Sequence, residues 1–116
     1  MPKIIALIKR KQSLTREEFL YFWQAEHPPL VWALPGLRRY VQNPSLPASR
    51  TWAYDGAAEL WFDSKRDVAT AFASEAAEPL VAHERLFIDD IVWFLVDEVE
   101  VKHPAAASAS PTEIGG

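Results

Sequence analysis

Lys3 to Lys9 (KIIALIK) is apolar at both parities and rich in branched residues, a pattern that predicts a strand buried on both faces. After a turn at Gln12 and Ser13 the apolar period lengthens to that of a helix. Thr15 and Glu18 have the spacing of a capping box, and Leu14 and Phe19 that of a hydrophobic staple. Phe19, Phe22 and Trp23 continue one inward stripe that ends in Glu26 and His27, two ionisable residues. Pro28 and Pro29 are expected to break the helix there, because a proline disfavours the α region for the residue before it. A further turn over Leu30 to Leu34 precedes Pro35-Gly36, a stop signal.

The second half repeats this layout. Leu37 to Asn43 predicts a second strand, Pro44 to Asp55 a loop, and Gly56 to Phe62 a third strand. Ser64 and Asp67 form a weaker capping pair at the start of a second helix carrying Val68, Ala71 and Phe72 inward. A third helical piece is predicted between Glu75 and Asp90, with Leu80, His83, Glu84, Phe87 and Ile91 near one stripe. Val92 to Val101 reads as the last strand. Thr15-x-x-Glu18 leading to Trp23 is echoed by Ser64-x-x-Asp67 leading to Phe72, each just after a strand. Two such halves give an α+β fold: ferredoxin-like βαββαβ, with a four-stranded antiparallel sheet and helices on one face. The other sheet face would then be bare and apolar, which predicts a homodimer with sheet facing sheet. From Lys102 the composition falls to Ala, Ser, Pro and Gly, so the domain is expected over residues 1–102 and a disordered tail over 103–116.

Composition narrows the function. The chain has 116 residues, 49% hydrophobic and 24% charged, as expected for one ordinary globular domain. A formal net charge of −4 argues against nucleic-acid binding, which needs a basic face. With no cysteine, disulfides, thiolate nucleophiles and Cys-based metal sites are excluded. Three histidines without close ligand spacing make a metal site an unfavoured reading, and only four glycines leave no phosphate-cradling loop. No apolar run approaches the ~20 residues of a bilayer span, and the start does not read as a signal peptide, so a cytoplasmic location is expected. Five tryptophans, six phenylalanines and three tyrosines can fill a core, line a pocket for a flat ligand, or cover an interface.

The ordered set of motifs resembles the EthD family. It comprises the capped aromatic helix ending in Trp23 and Glu26-His27-Pro28-Pro29-Leu30, then Leu34-Pro35-Gly36-Leu37 with Arg39-Tyr40, and Tyr54-Asp55-Gly56 leading into Glu59-Leu60-Trp61-Phe62 and Ser64. Pro28 stands where that family more often has glycine. The resemblance implies a dimeric α+β barrel. Its wider superfamily includes cofactor-free monooxygenases, polyketide cyclases and dehydratases, and muconolactone-type isomerases.

His27 is the leading candidate for chemistry, since an imidazole at the end of an apolar stripe can shuttle a proton near neutral pH. The plainer reading is a half-buried histidine capping a broken helix; the resemblance weighs toward function, since this is the family's usual candidate. His83 either shares its hollow or rides on the surface beside Glu84. Glu59 is an acid/base candidate if it points to the helices, and an interface or solvent residue if it points away. Tyr40 is a candidate hydrogen-bond donor, and Phe19, Phe22, Trp23, Trp61 and Phe87 are candidate pocket walls. His103 belongs to the expected tail. Together these point to a small cofactor-independent enzyme, monooxygenase-like, acting on a hydrophobic cyclic or aromatic metabolite by His-assisted proton abstraction. The alternatives are a dehydratase, cyclase or isomerase of the same superfamily, and a non-catalytic binding protein for an apolar metabolite. A purely structural partner of a larger enzyme would show no enclosed pocket of about 300 Å³.

Overall fold

The computed structural model describes residues 1–107. Four strands, β1 (Pro2–Arg10), β2 (Arg39–Pro44), β3 (Gly56–Trp61) and β4 (Ile88–Asp97), form one antiparallel sheet in the order β2-β3-β1-β4. The helices are α1 (Arg16–Leu20), α2 (Pro28–Trp32), α3 (Lys65–Ala73), α4 (Ala77–Glu84) and the single turn α5 (Pro104–Ala107). This is the ferredoxin-like α+β arrangement, with α1 to α4 over one sheet face. The tail expected over 103–116 falls largely on residues 108–116, outside the described residues.

Register fixes which side chains meet the helices. Ile4, Ala6 and Ile8 of β1 pair with Leu60, Ala58 and Gly56 of β3, and this face carries the core with Phe19, Trp23, Phe62 and Phe87. Lys3, Ile5 and Leu7 pair with Trp61, Glu59 and Ala57 on the opposite, outer face. Gly56 lies under the Trp23 indole: a Cβ there would come within 2.5 Å of the ring. Only glycine lets the sheet and this ring approach so closely.

The first helical stretch departs from expectation in an informative way. Thr15 and Glu18 make both capping-box bonds, 3.1 Å from the Glu18 N–H to Thr15 Oγ1 and 2.8 Å from the Thr15 N–H to Glu18 Oε1. The chain then widens to a π-helical segment, Tyr21–Glu26, closed by the His27 N–H donating to the Phe22 carbonyl at 2.9 Å. Contrary to the sequence expectation, Pro28 does not displace His27 from the α region; the residue stays right-handed at φ −74°, ψ −37°. Pro28 and Pro29 sit in the first turn of α2, where missing N–H groups cost nothing, and the widened turn relieves the ring–carbonyl clash behind them. The strand predicted over Val92 to Val101 instead runs Ile88–Asp97, because β1 supplies partners only from Arg10↔Ile88 to Pro2↔Asp97. Gly36, at φ 80°, ends the turn after α2.

Candidate functional site

Between the sheet and the helices lies a cavity of about 210 Å³. Its floor is Ile4, Ala6, Ile8, Ala58 and Leu60; its roof is Trp23, Val31 and Leu80. Phe72, Val81, Ile91 and Trp93 line the side toward β4, where the Phe72 and Trp93 rings stack at 6.4 Å. Two ionisable side chains, His27 and Glu84, line this apolar space.

His27 is only 4% exposed. The π-helical segment and α2 meet at this residue, so its ring hangs from the helical joint toward α4. The Phe87 ring meets it edge-on at 5.2 Å. Burial, with the neighbouring His83 second, pushes its imidazolium down to about 4, so the ring is neutral near pH 7. Glu84 ends α4 with its Oε2 3.8 Å from His27 Nε2, too long for a hydrogen bond. Burial alone pushes its carboxyl up to about 7. Near pH 7 the pair is therefore a neutral imidazole beside a carboxyl close to its own titration midpoint rather than an ion pair.

His83 stands behind His27 rather than in the cavity. The ring planes lie within 17° of each other with centroids 5.1 Å apart, and their edges meet with the Nδ1 atoms 2.9 Å from one another. His83 Nε2 is 3.0 Å from Oε1 of Glu26, which reaches the surface. A carboxylate oxygen accepts, so His83 Nε2 is the donor of this bond. In that tautomer His83 accepts at Nδ1, His27 donates from Nδ1, and His27 Nε2 turns a free lone pair toward Glu84 and the cavity.

The remaining sequence candidates separate by sheet face. Glu59 is not in the cavity. It lies on the outer face with Lys3 Nζ at 2.7 Å, and that hydrogen bond holds its carboxyl below the usual range, the opposite of a proton donor. Trp61 is on the outer face too, sandwiched by Lys3 and Arg39 at 4.8 and 4.3 Å, and so is no pocket wall. Tyr40 shares the helix-facing side but does not line the cavity. Its hydroxyl accepts from Gln42 Nε2 at 2.6 Å, its ring meets Trp32, and burial pushes its phenol up to about 12. Of the proposed aromatic walls only Trp23 faces the cavity. Phe19 and Phe87 are core, and Phe22 stacks on Phe87 at 5.9 Å behind the histidines. Sequence reasoning placed Glu84 near the stripe of Leu80 and Phe87 but gave it no chemical role. The signal was there: Glu84 follows the buried Leu80 by four positions and Ala77 by seven, one helix face. Among the described residues, no cluster of three or more His, Cys, Asp or Glu is arranged to hold a metal ion. No helix among them is long and apolar enough to cross a membrane.

Fold and site thus define a ferredoxin-like α+β domain with a small apolar cavity ending in an imidazole and a carboxyl. The profile of the EthD domain matches residues 11–91, and the chain belongs to that family. No curated protein matches it significantly in sequence. An EthD-family protein from Bacillus halodurans C-125 superposes with a TM-score of 0.74 at 18% identity, covering 85% of this chain and 99% of its own. A dimeric ferredoxin-like protein of unknown function from Thermobifida fusca YX gives 0.65 at 19% identity, covering 82% and 88%. A mutant form of SnoaB, a cofactor-independent oxygenase from Streptomyces nogalater, gives 0.63 at 13% identity, covering 86% and 94%. At such identities the likeness is one of fold.

Proposed function

We propose that this protein is a cofactor-independent, monooxygenase-like enzyme that abstracts a proton from a small hydrophobic cyclic ketone or phenol, working as a homodimer. The observation that carries this reading is the pairing of His27 and Glu84 in an otherwise apolar cavity. The neutral His27 Nε2 lone pair accepts the proton. The protonated Glu84 donates a hydrogen bond to the oxygen on which negative charge develops, in a dry setting where such a bond is strong. The resulting enolate or phenolate supplies electrons that a cofactor otherwise provides, and the fold shared with a cofactor-independent oxygenase favours oxygen as its partner.

The cavity limits substrate size. A dry apolar cavity of about 150 Å³ takes up benzene, so about 210 Å³ suits one or two fused rings. This is below the ~300 Å³ that marks a ligand pocket, so volume alone meets the expectation for a purely structural partner, and it is the buried His27–Glu84 pair that favours a site.

The test uses 2-tetralone, an apolar bicyclic ketone with an acidic C–H. In D₂O the protein accelerates deuterium uptake at C1, and His27→Asn lowers the rate by roughly 10²-fold, the scale of general-base assistance. Quenching of tryptophan fluorescence on binding, with no faster uptake than buffer alone, would instead mark a protein that holds its ligand unchanged. Equal uptake by His27→Asn overturns the role of the imidazole.

A further inference from the structure

We propose that His83 and Glu26 form a proton relay that connects the buried His27 to solvent. The proposal rests on the reading of the cavity as a site of proton abstraction, but its geometry stands apart from any substrate. His27 to His83 is 2.9 Å between Nδ1 atoms, and His83 Nε2 to Glu26 Oε1 is 3.0 Å. Exposure rises along the same line, with side chains 5% exposed at His27, 12% at His83 and 41% at Glu26. The two ring planes lie within 17° of each other and meet edge to edge at these nitrogens, so an N–H in the plane of one ring points at the lone pair of the other. Each imidazole gives a proton from one nitrogen as it receives one on the other, so the middle of the chain need not hold net charge.

A single outward transfer balances as follows. The substrate C–H or O–H bond breaks and its electron pair stays on the substrate. His27 Nε2 gains that proton, and its Nδ1–H passes to His83 Nδ1. His83 Nε2–H passes to Glu26, which becomes neutral and releases the proton to water. The imidazoles are left in exchanged tautomers. When the product anion takes a proton back from His27 Nε2, every step reverses and the starting tautomers return. The relay also removes a difficulty of the site: a buried imidazolium disfavoured by desolvation does not have to persist. The groups around His27 are His83 and Glu84 of α4, Phe87, and Glu26 beyond His83; of these only the His83–Glu26 branch is hydrogen-bonded to it.

Glu26→Gln separates a relay from a structural contact. The glutamine carbonyl still accepts the His83 Nε2–H, so a merely structural link survives, but an amide does not take the proton. On ligand-free protein labelled with ¹⁵N-histidine, two-bond couplings read the tautomer of His27, and water-exchange NMR reads how fast its ring proton leaves. The wild type is expected to hold His27 as the Nδ1–H tautomer. Glu26→Gln keeps that tautomer and slows exchange by roughly 10²-fold. Glu26→Ala slows it likewise, and added acetate restores it. An Nε2–H tautomer in the wild type, or equal exchange in Glu26→Gln, overturns the relay. Loss of the 2-tetralone reaction alone, with the exchange results as expected, would sink the proposed function and leave the relay standing.

Discussion

His27 and Glu84 are displaced in opposite directions by the same cause, burial, and the consequence is a defined pH window. The imidazole loses its proton above about 4 and the carboxyl keeps its proton up to about 7. Proton abstraction by a neutral imidazole with an acid beside it should therefore be confined between these limits. Glu84→Gln preserves a donor without titrating, so it should keep activity and carry it above pH 7, whereas Glu84→Leu should lower the rate at every pH; rate profiles on 2-tetralone distinguish them. Stability follows with the sign worked out. Glu84 binds its proton more tightly folded than unfolded, so between its ordinary value of 4.5 and about 7 the native state loses stability as pH rises. His27 works oppositely, since the unfolded chain holds more protons between about 4 and 6.5, and stability rises with pH there. Removing Glu84 by Gln leaves the His27 effect alone. The variant should gain about 3 kcal/mol relative to wild type between pH 4.5 and pH 8, by urea denaturation at both. His27 was legible from sequence because an ionisable residue closing an apolar stripe is conspicuous. Glu59 and Trp61 were not legible, because strands apolar at both parities carry no alternation that names their inner face.

Elements were more legible than side-chain facing. The capping boxes mark helix starts through local bonds that need no tertiary context, and both Thr15 and Ser64 cap as expected. The end of β4 is set by its partner strand, and the π-helical segment by two prolines acting on carbonyls behind them; neither cause is local. That segment matters because it aims Trp23 and His27 together at the cavity. Gly56→Ala tests how tightly this aim is fixed. The added methyl meets a rigid, fully buried indole at 2.5 Å, and neither ring nor strand yields easily. A loss of roughly 1–3 kcal/mol is expected from overpacking, with Trp23 shifted and 2-tetralone affinity reduced. Thr15→Ala, which removes one of the two capping-box bonds, should cost about 1 kcal/mol and leave the cavity unchanged. Equal effects of the two substitutions on ligand affinity would refute this division between wall and cap.

The molecule as a whole has two unlike sheet faces. The helix-facing side carries the core and cavity, while the outer side leaves Phe94 48% and Val92 44% exposed beside Ile5 and Leu7. Contiguous apolar sheet of this kind marks an interaction surface, and the dimeric ferredoxin-like neighbour from Thermobifida fusca offers a precedent for self-pairing in this fold. Glu59, Lys3 and Glu98 border the same face, so a second copy would meet an apolar centre with a charged margin. Sedimentation of the wild type at micromolar concentration should give twice the chain mass. Phe94→Glu places a carboxylate on that apolar patch, where pairing of the two faces would bury it without a partner. The dissociation constant should rise at least roughly 10²-fold. Because the cavity lies on the other face, the His27 tautomer should not change in this variant. A monomeric wild type, or a dimer indifferent to the substitution, would mean that the apolar outer face is covered in some other way.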